Sequence, residues 1–148
     1  MTWHVLGDGP ELEVLKKKCK ELPANISVKF YGNLSPNEVN NFYKTVPVNL
    51  FVSLSSSEGL PVSMMEAISF GIPMLCTNVG GCSEICNENT GLLINKEFDF
   101  KETAQLILQF KNSHKNTLVF RKGVKEFWDL NFNAAKNYKM FSSQIGRL

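Results

Sequence analysis

Hydrophobic and polar positions alternate in two rhythms along this chain. Short apolar runs of strand length are Trp3–Leu6, Ile26–Tyr31, Val48–Leu54, Ile72–Cys76 and Leu92–Ile94. Four of the five are closed directly by glycine, asparagine or serine, and Ile72–Cys76 reaches Asn78 through Thr77; such residues break extended chain into turns. Between them lie stretches with apolar residues three or four apart, the period of one helix face. Glu11–Leu22 carries Leu12, Leu15 and Cys19 on one side. Ser35-Pro36 reads as an N-cap followed by a proline at the first helical position, with the helix running through Phe42 and Tyr43. Pro61–Phe70 is predicted as a helix started by proline and ended by Gly71. A short helix is expected near Ser83–Cys86 after Gly80-Gly81. Longer ones are expected over Phe100–Phe110, Thr117–Trp128 and Asn133–Ile145.

Strand and helix thus alternate about five times. Alternation of this kind predicts an α/β, Rossmann-like parallel sheet with helices on both faces. With 148 residues, 43% of them hydrophobic, the chain fits one domain spanning 1–148. In parallel sheets ligands sit at the carboxyl ends of the strands. Gly7, Gly32, the Ser55–Glu58 loop and Gly80 all follow predicted strands, so they are expected to gather on one edge.

Ser55-Ser56-Ser57-Glu58-Gly59-Leu60-Pro61-Val62-Ser63-Met64-Met65-Glu66-Ala67 is the stretch richest in chemistry. Glu58 precedes the helix start and Glu66 lies about 1.5 turns inside it. The open N–H groups of a first helical turn, with the positive end of the helix dipole, attract an anion. Two carboxylates around such a cradle suit a phosphorylated, hydroxyl-rich ligand, and a nucleotide sugar is one. A stray glutamate pair is usually solvent-exposed. Here Glu58 borders glycine, and Glu66 is set in the apolar Met64-Met65-Glu66-Ala67-Ile68, which is expected to face the sheet.

Other chemistries find less support. Gly7-x-Gly9 opens like a dinucleotide fingerprint, but the third glycine position is Leu12. The turn either brings backbone near a ligand or is plain turn chemistry. His4 lies within a strand and His114 in a polar loop, where a satisfied or solvated histidine is the ordinary case. No Ser-His-Asp order and no P-loop lysine occurs. Cys19, Cys76, Cys82 and Cys86 show no zinc spacing and read as reduced thiols of a cytoplasmic protein. No signal peptide or apolar run of about 20 residues is visible.

The net charge of +2 is unevenly spread. Residues 1–100 carry 7 basic and 11 acidic side chains, residues 101–148 carry 9 and 3. A basic tail fits an anionic membrane surface at the inner face, an acidic partner, or a solvated helix face. Aromatic and basic residues do not interleave as in a nucleic-acid module, so no nucleic-acid partner is expected.

Several landmarks occur in order: Leu6-Gly7-Asp8-Gly9-Pro10-Glu11-Leu12; Val28-Lys29-Phe30-Tyr31-Gly32; Ser53 and Ser55 before Glu58-Gly59-Leu60-Pro61; Glu66-Ala67 with Gly71-Ile72-Pro73; Gly80-Gly81 with Glu84; and Gly91-Leu92-Leu93. In these the chain resembles the carboxy-terminal, donor-binding domain of GT-B-fold group 1 retaining glycosyltransferases. The resemblance implies a UDP- or GDP-sugar donor and transfer of its sugar to an acceptor with retention. It implies that Glu66 holds the ribose hydroxyls and that Glu58 acts at the transferred sugar as the catalytic carboxylate. Gly59 lies beside it, and Leu60, Val62 and Ser63 would offer N–H groups to the phosphates. Gly32 to Leu34 would meet the base, and Gly7 and Gly9 would approach the donor. No metal or other cofactor is implied, in keeping with the lack of an Asp-x-Asp motif.

One departure stands out. The family's Gly-Arg…Lys-Gly segment, whose cations grip the diphosphate, has no counterpart here, and the amino-terminal acceptor domain is also outside the chain. Met1 is therefore read as a fragment start, with the isolated fragment inactive. Two alternatives follow: a non-catalytic fragment that binds a nucleotide or a partner, and a sugar-nucleotide epimerase on the same architecture.

Overall fold

The computed structural model describes residues 1–145. They form two compact units, Met1–Val46 and Pro47 onwards.

In the first unit, β1 (Thr2–Val5) and β2 (Ser27–Phe30) pair in parallel, from Thr2 opposite Ser27 to Val5 opposite Phe30. Helix α1 (Leu12–Cys19) connects them and α2 (Pro36–Thr45) follows. The run Glu11–Leu22 is helical only over its middle. Its start has no side-chain cap, and its carboxyl end closes in turn bonds from Lys20 N–H to Lys17 O and from Glu21 N–H to Lys18 O. Helix α2 matches its signals closely. Ser35 Oγ accepts from Glu38 N–H, while the Glu38 carboxylate accepts from Ser35 N–H at 2.8 Å, a reciprocal capping box. Phe42 is the buried residue of α2, and it packs edge-on to both His4 and Tyr31.

In the second unit, β3 (Phe51–Ser53), β4 (Met74–Thr77) and β5 (Gly91–Ile94) form a parallel sheet in the order β3-β4-β5. All strand pairings are parallel, as expected, but the strands divide between two sheets instead of filling one. Strand β3 is also shorter than the run Val48–Leu54. The carbonyls of Val48 and Asn49 are taken by the Arg121 guanidinium, at 3.1 and 2.6 Å, so this part of the run bonds to a side chain.

Strand β4 is buried along its whole length. On one face, Phe51, Met74, Cys76 and Leu93 meet Met64 and Ile68 of α3 (Val62–Ser69) and Cys82 and Ile85 of α4 (Cys82–Ile85). Val124 of α6 (Leu118–Asn131) completes this core, with Phe120, Phe127 and Trp128 around it. Burying each such large side chain is worth about 1.5–3 kcal/mol. On the opposite face, Leu92 shares a shallow hollow with Leu106 and Phe110 of α5 (Phe100–Phe110). Helices therefore cover both sides of this sheet. Helix α7 (Ala134–Ile145) closes the described chain and buries no residue.

Helix α3 ends as the sequence predicts. Gly71 has φ +70° just beyond the last turn. Its N–H bonds Ile68 O, and the Ile72 N–H bonds Ala67 O, the double bond of a Schellman motif. A Cβ on Gly71 would lie 2.5 Å from Arg121 O, so glycine also lets α6 approach α3.

Candidate functional site

The candidate residues fall in both units. In the first, Gly7 and Gly32 follow β1 and β2 with φ of +137° and +68°, and Gly7 N–H bonds Gly32 O at 2.7 Å. Gly9 N–H is held by Asp8 Oδ1, and Gly9 O accepts from Leu12 N–H. Leu34 is half-buried just before Ser35 caps α2. The two turns are thus bonded to each other. His4, assigned no chemistry, stacks on Tyr31 and bonds its hydroxyl through Nδ1 at 2.9 Å. Burial and, secondarily, the Lys29 charge hold the His4 pKa below its ordinary value.

In the second unit, the Ser55–Pro61 loop leaves β3 and the Asn78–Gly81 loop leaves β4, both at the carboxyl ends of neighbouring parallel strands. The two loops are in close contact. Gly81 N–H bonds Gly59 O at 2.8 Å, and a Cβ on Gly80 would lie 1.8 Å from Glu58 O. Gly80 has φ +50°, a conformation that glycine adopts at no steric cost. Thr77, the last residue of β4, donates its hydroxyl to Ser55 O at 2.6 Å. Ser55 Oγ in turn donates to Glu58 Oε1 at 2.7 Å. Glu58 is half-buried in this frame. Burial raises the Cys82 thiol pKa, a bond with the Val79 backbone lowers it, and the Glu58 charge raises it again.

Pro61 corrects the expected helix start. It has extended backbone, φ −73° and ψ 112°, and is the N-cap residue, so Val62 is the first helical position. The N–H groups of Met64 and Met65 both return to Pro61 O. Those of Val62 and Ser63 have no partner among the described residues, and both residues are exposed. Gly59 and Leu60 are exposed beside them.

Glu66 requires a second correction. The sheet-facing side of α3 is Met64, Ala67 and Ile68, all fully buried. Glu66 is half-buried on the other side, three and four residues after Ser63 and Val62, so all three share one face. The apolar neighbours in sequence point away from it because helical side chains turn by about 100° per residue. An open helix mouth, a carboxylate one turn deeper on the same face and a second carboxylate in the preceding loop therefore belong to one unit.

Ser55 and Thr77 form the part of the site that sequence reading did not assign. Ser55 to Glu58 has the Ser-x-x-Glu spacing that suits a side-chain bond, as in Ser35 to Glu38, and was the available signal. The Thr77 contact crosses 22 residues and has no local signal. Among the described residues, no group of three or more His, Cys, Asp or Glu is placed to hold a metal ion. None of their helices is long and apolar enough to cross a membrane.

Residues 2–127 match the family described as glycosyl transferases group 1, and the chain belongs to that family. The O-antigen biosynthesis glycosyltransferase WbnH of Escherichia coli is 43% identical over 120 residues, covering 81% of this chain and 33% of WbnH. The putative teichuronic acid biosynthesis glycosyltransferase TuaC of Bacillus subtilis is 27% identical over 143 residues, again covering 33% of the relative. The chain thus spans about a third of the length of these curated relatives. Among solved structures, HepE of Anabaena, crystallised with UDP, superposes with a TM-score of 0.77 at 18% identity, covering 100% of this chain and 41% of HepE. The C-terminal domain of the group 1 protein LpcC of Francisella tularensis gives a TM-score of 0.66 at 18% identity, covering 85% of this chain and 66% of that one. The fold is that of the carboxy-terminal domain of GT-B glycosyltransferases.

Proposed function

We propose that this chain binds a nucleoside-diphosphate sugar and that the complete enzyme transfers the sugar to an acceptor with retention. The face of α3 carries this reading: the unpaired N–H groups of Val62 and Ser63 lie one turn from Glu66. The diphosphate takes those N–H groups, with that of Leu60, and gains from the helix dipole. Glu66 accepts the two vicinal ribose hydroxyls, each a charge-assisted bond. Glu58 meets the transferred sugar, where a carboxylate orients hydroxyls and favours positive charge developing at the anomeric carbon. HepE, the structural neighbour crystallised with UDP, supports the ligand class. The four free thiols fit a reducing compartment such as the cytoplasm.

Titration calorimetry with UDP and with GDP, on wild type and Glu66→Ala, tests the reading. One of the two nucleotides is expected to bind in preference to the other. Glu66→Ala is expected to weaken that binding by at least about tenfold, the loss of a bond to a charged group worth about 1.5–3 kcal/mol. Unchanged affinity in that variant would remove Glu66 from the ribose. No turnover of donor sugar by the isolated chain is expected. Release of an epimerised sugar nucleotide would favour the epimerase instead.

A further inference from the structure

We infer that Ser55 is the positioning residue of Glu58, and that it fixes which carboxylate oxygen the site presents. This inference rests on the donor-binding reading above for its functional meaning, but its structural basis is independent of it.

Ser55 is held at both ends. Its backbone carbonyl accepts the hydroxyl of Thr77, a side chain 1% exposed at the end of the buried strand β4. Its own hydroxyl donates to Glu58 Oε1 at 2.7 Å. A serine hydroxyl has one proton, and here the carboxylate has it. The neighbouring oxygens of Ser53 and Ser55, 3.2 Å apart, are both capable of donating. With the Ser55 proton committed, Ser53 must be the donor of that pair. The order is therefore Ser53 to Ser55 to Glu58, every O–H pointing toward the negative charge. Such a chain polarises in one direction, and its last bond is charge-assisted.

The backbone of Glu58 is fixed as well. The backbone of Gly80 lies so near its carbonyl that a Cβ there would sit 1.8 Å from the oxygen, and Gly81 N–H bonds the carbonyl of Gly59. Glu58 thus has its main chain clamped by one loop and Oε1 occupied by Ser55. Oε2 has no partner among the described residues and is the oxygen left for a ligand. A single free carboxylate oxygen in a fixed direction suits one sugar hydroxyl or the positive face of a reacting sugar. The twin hydroxyls of a ribose need two. Glu66, with no hydrogen bond to its carboxylate among the described residues, has both oxygens fully open, which suits a pair of vicinal hydroxyls.

Two measurements on the 148-residue chain test this. The first is the side-chain carboxyl carbon resonance of Glu58 by NMR, assigned with Glu58→Gln. Ser55→Ala should move it and Ser55→Thr, which keeps a hydroxyl, should restore it. The second is calorimetric affinity for UDP and GDP against UDP-glucose and GDP-mannose. Ser55→Ala should lower the preference for the sugar-bearing form by about tenfold, the scale of one charge-assisted bond, and leave affinity for the bare nucleotide within about twofold. Ser55→Thr should restore the preference. A Glu58 resonance unmoved by Ser55→Ala, or equal weakening of nucleotide and nucleotide sugar, would overturn the positioning role. Absence of any nucleotide binding in the wild type would sink the donor-binding reading alone, because the resonance and its restoration by threonine still decide on Ser55.

Discussion

Gly80 and Glu58 are so close that the two loops behave as one piece: a Cβ on Gly80 would sit 1.8 Å from the Glu58 carbonyl oxygen. Both loops leave the carboxyl ends of adjacent strands. The carboxylate proposed to meet the sugar therefore depends on a residue 22 positions further along the chain. Gly80→Ala adds this clash to a backbone at φ +50°, which disfavours a side chain. The variant is expected to lose about 1–3 kcal/mol of stability in urea unfolding. If it unfolds at the wild-type midpoint, the loops are not in the contact described.

Gly123 offers the opposite case. It lies inside α6, and a Cβ there would meet nothing within 4 Å. Gly123→Ala should raise stability by about 0.5–1 kcal/mol, because glycine loses more backbone freedom on entering a helix. A lower unfolding midpoint in this variant would contradict the open space beside Gly123.

Arg121 spans from α6 to the segment before β3, donating to Val48 O and Asn49 O. Burial depresses its pKa, and a guanidinium stays charged at neutral pH. Arg121→Ala leaves two carbonyls without this donor and should cost about 1.5–3 kcal/mol. Arg121→Lys should recover only part of it, since an ammonium cannot span both carbonyls as a planar fork does. Hydrogen exchange at β3 amides is the direct readout, and full recovery with lysine would refute the fork.

The pH dependence concerns His4. Burial first, and Lys29 second, keep its folded pKa below 6.5. The unfolded chain then binds more protons than the folded one between that lowered value and 6.5. Stability contributed by neutral His4 is complete above 6.5 and is lost as pH falls through the window below it. The difference in unfolding midpoint between wild type and His4→Gln should therefore change between pH 7 and pH 5, with wild type losing more. A constant difference would mean that His4 titrates alike in both states.

Much of this arrangement was legible in the sequence where a local rule governs. Ser35 with Glu38 three residues on is a capping box, and Gly71 after an apolar helix is a carboxyl cap; each depends only on chain neighbours. Glu66 was placed correctly in sequence but on the wrong face, because an apolar neighbourhood was taken for a buried direction. The spacing of Met64, Ala67 and Ile68 contains the right answer, as it leaves Glu66 outside the buried stripe. Pro61 shows a subtler limit: proline at the cap and proline at the first helical position look alike in sequence and differ only in ψ. The shortening of β3 lay beyond local reading, since it depends on an arginine more than 70 residues away. Thr77 to Ser55 is of the same kind.

Strand β4 leaves no room for adjustment. All four of its residues are buried, and a Cβ on Gly91 of β5 would lie 2.0 Å from the Met74 carbonyl. Thr77 ends this rigid rod, so the point from which Ser55 is tied is fixed in space. Diversification of donor choice across such a scaffold would then fall to the outward tips, Ser56, Ser57 and Leu60, whose exposure leaves them free to change. On the proposed donor-binding reading, the frame behind them acts as a common chassis, with variation at the tips while the carboxylates keep their places.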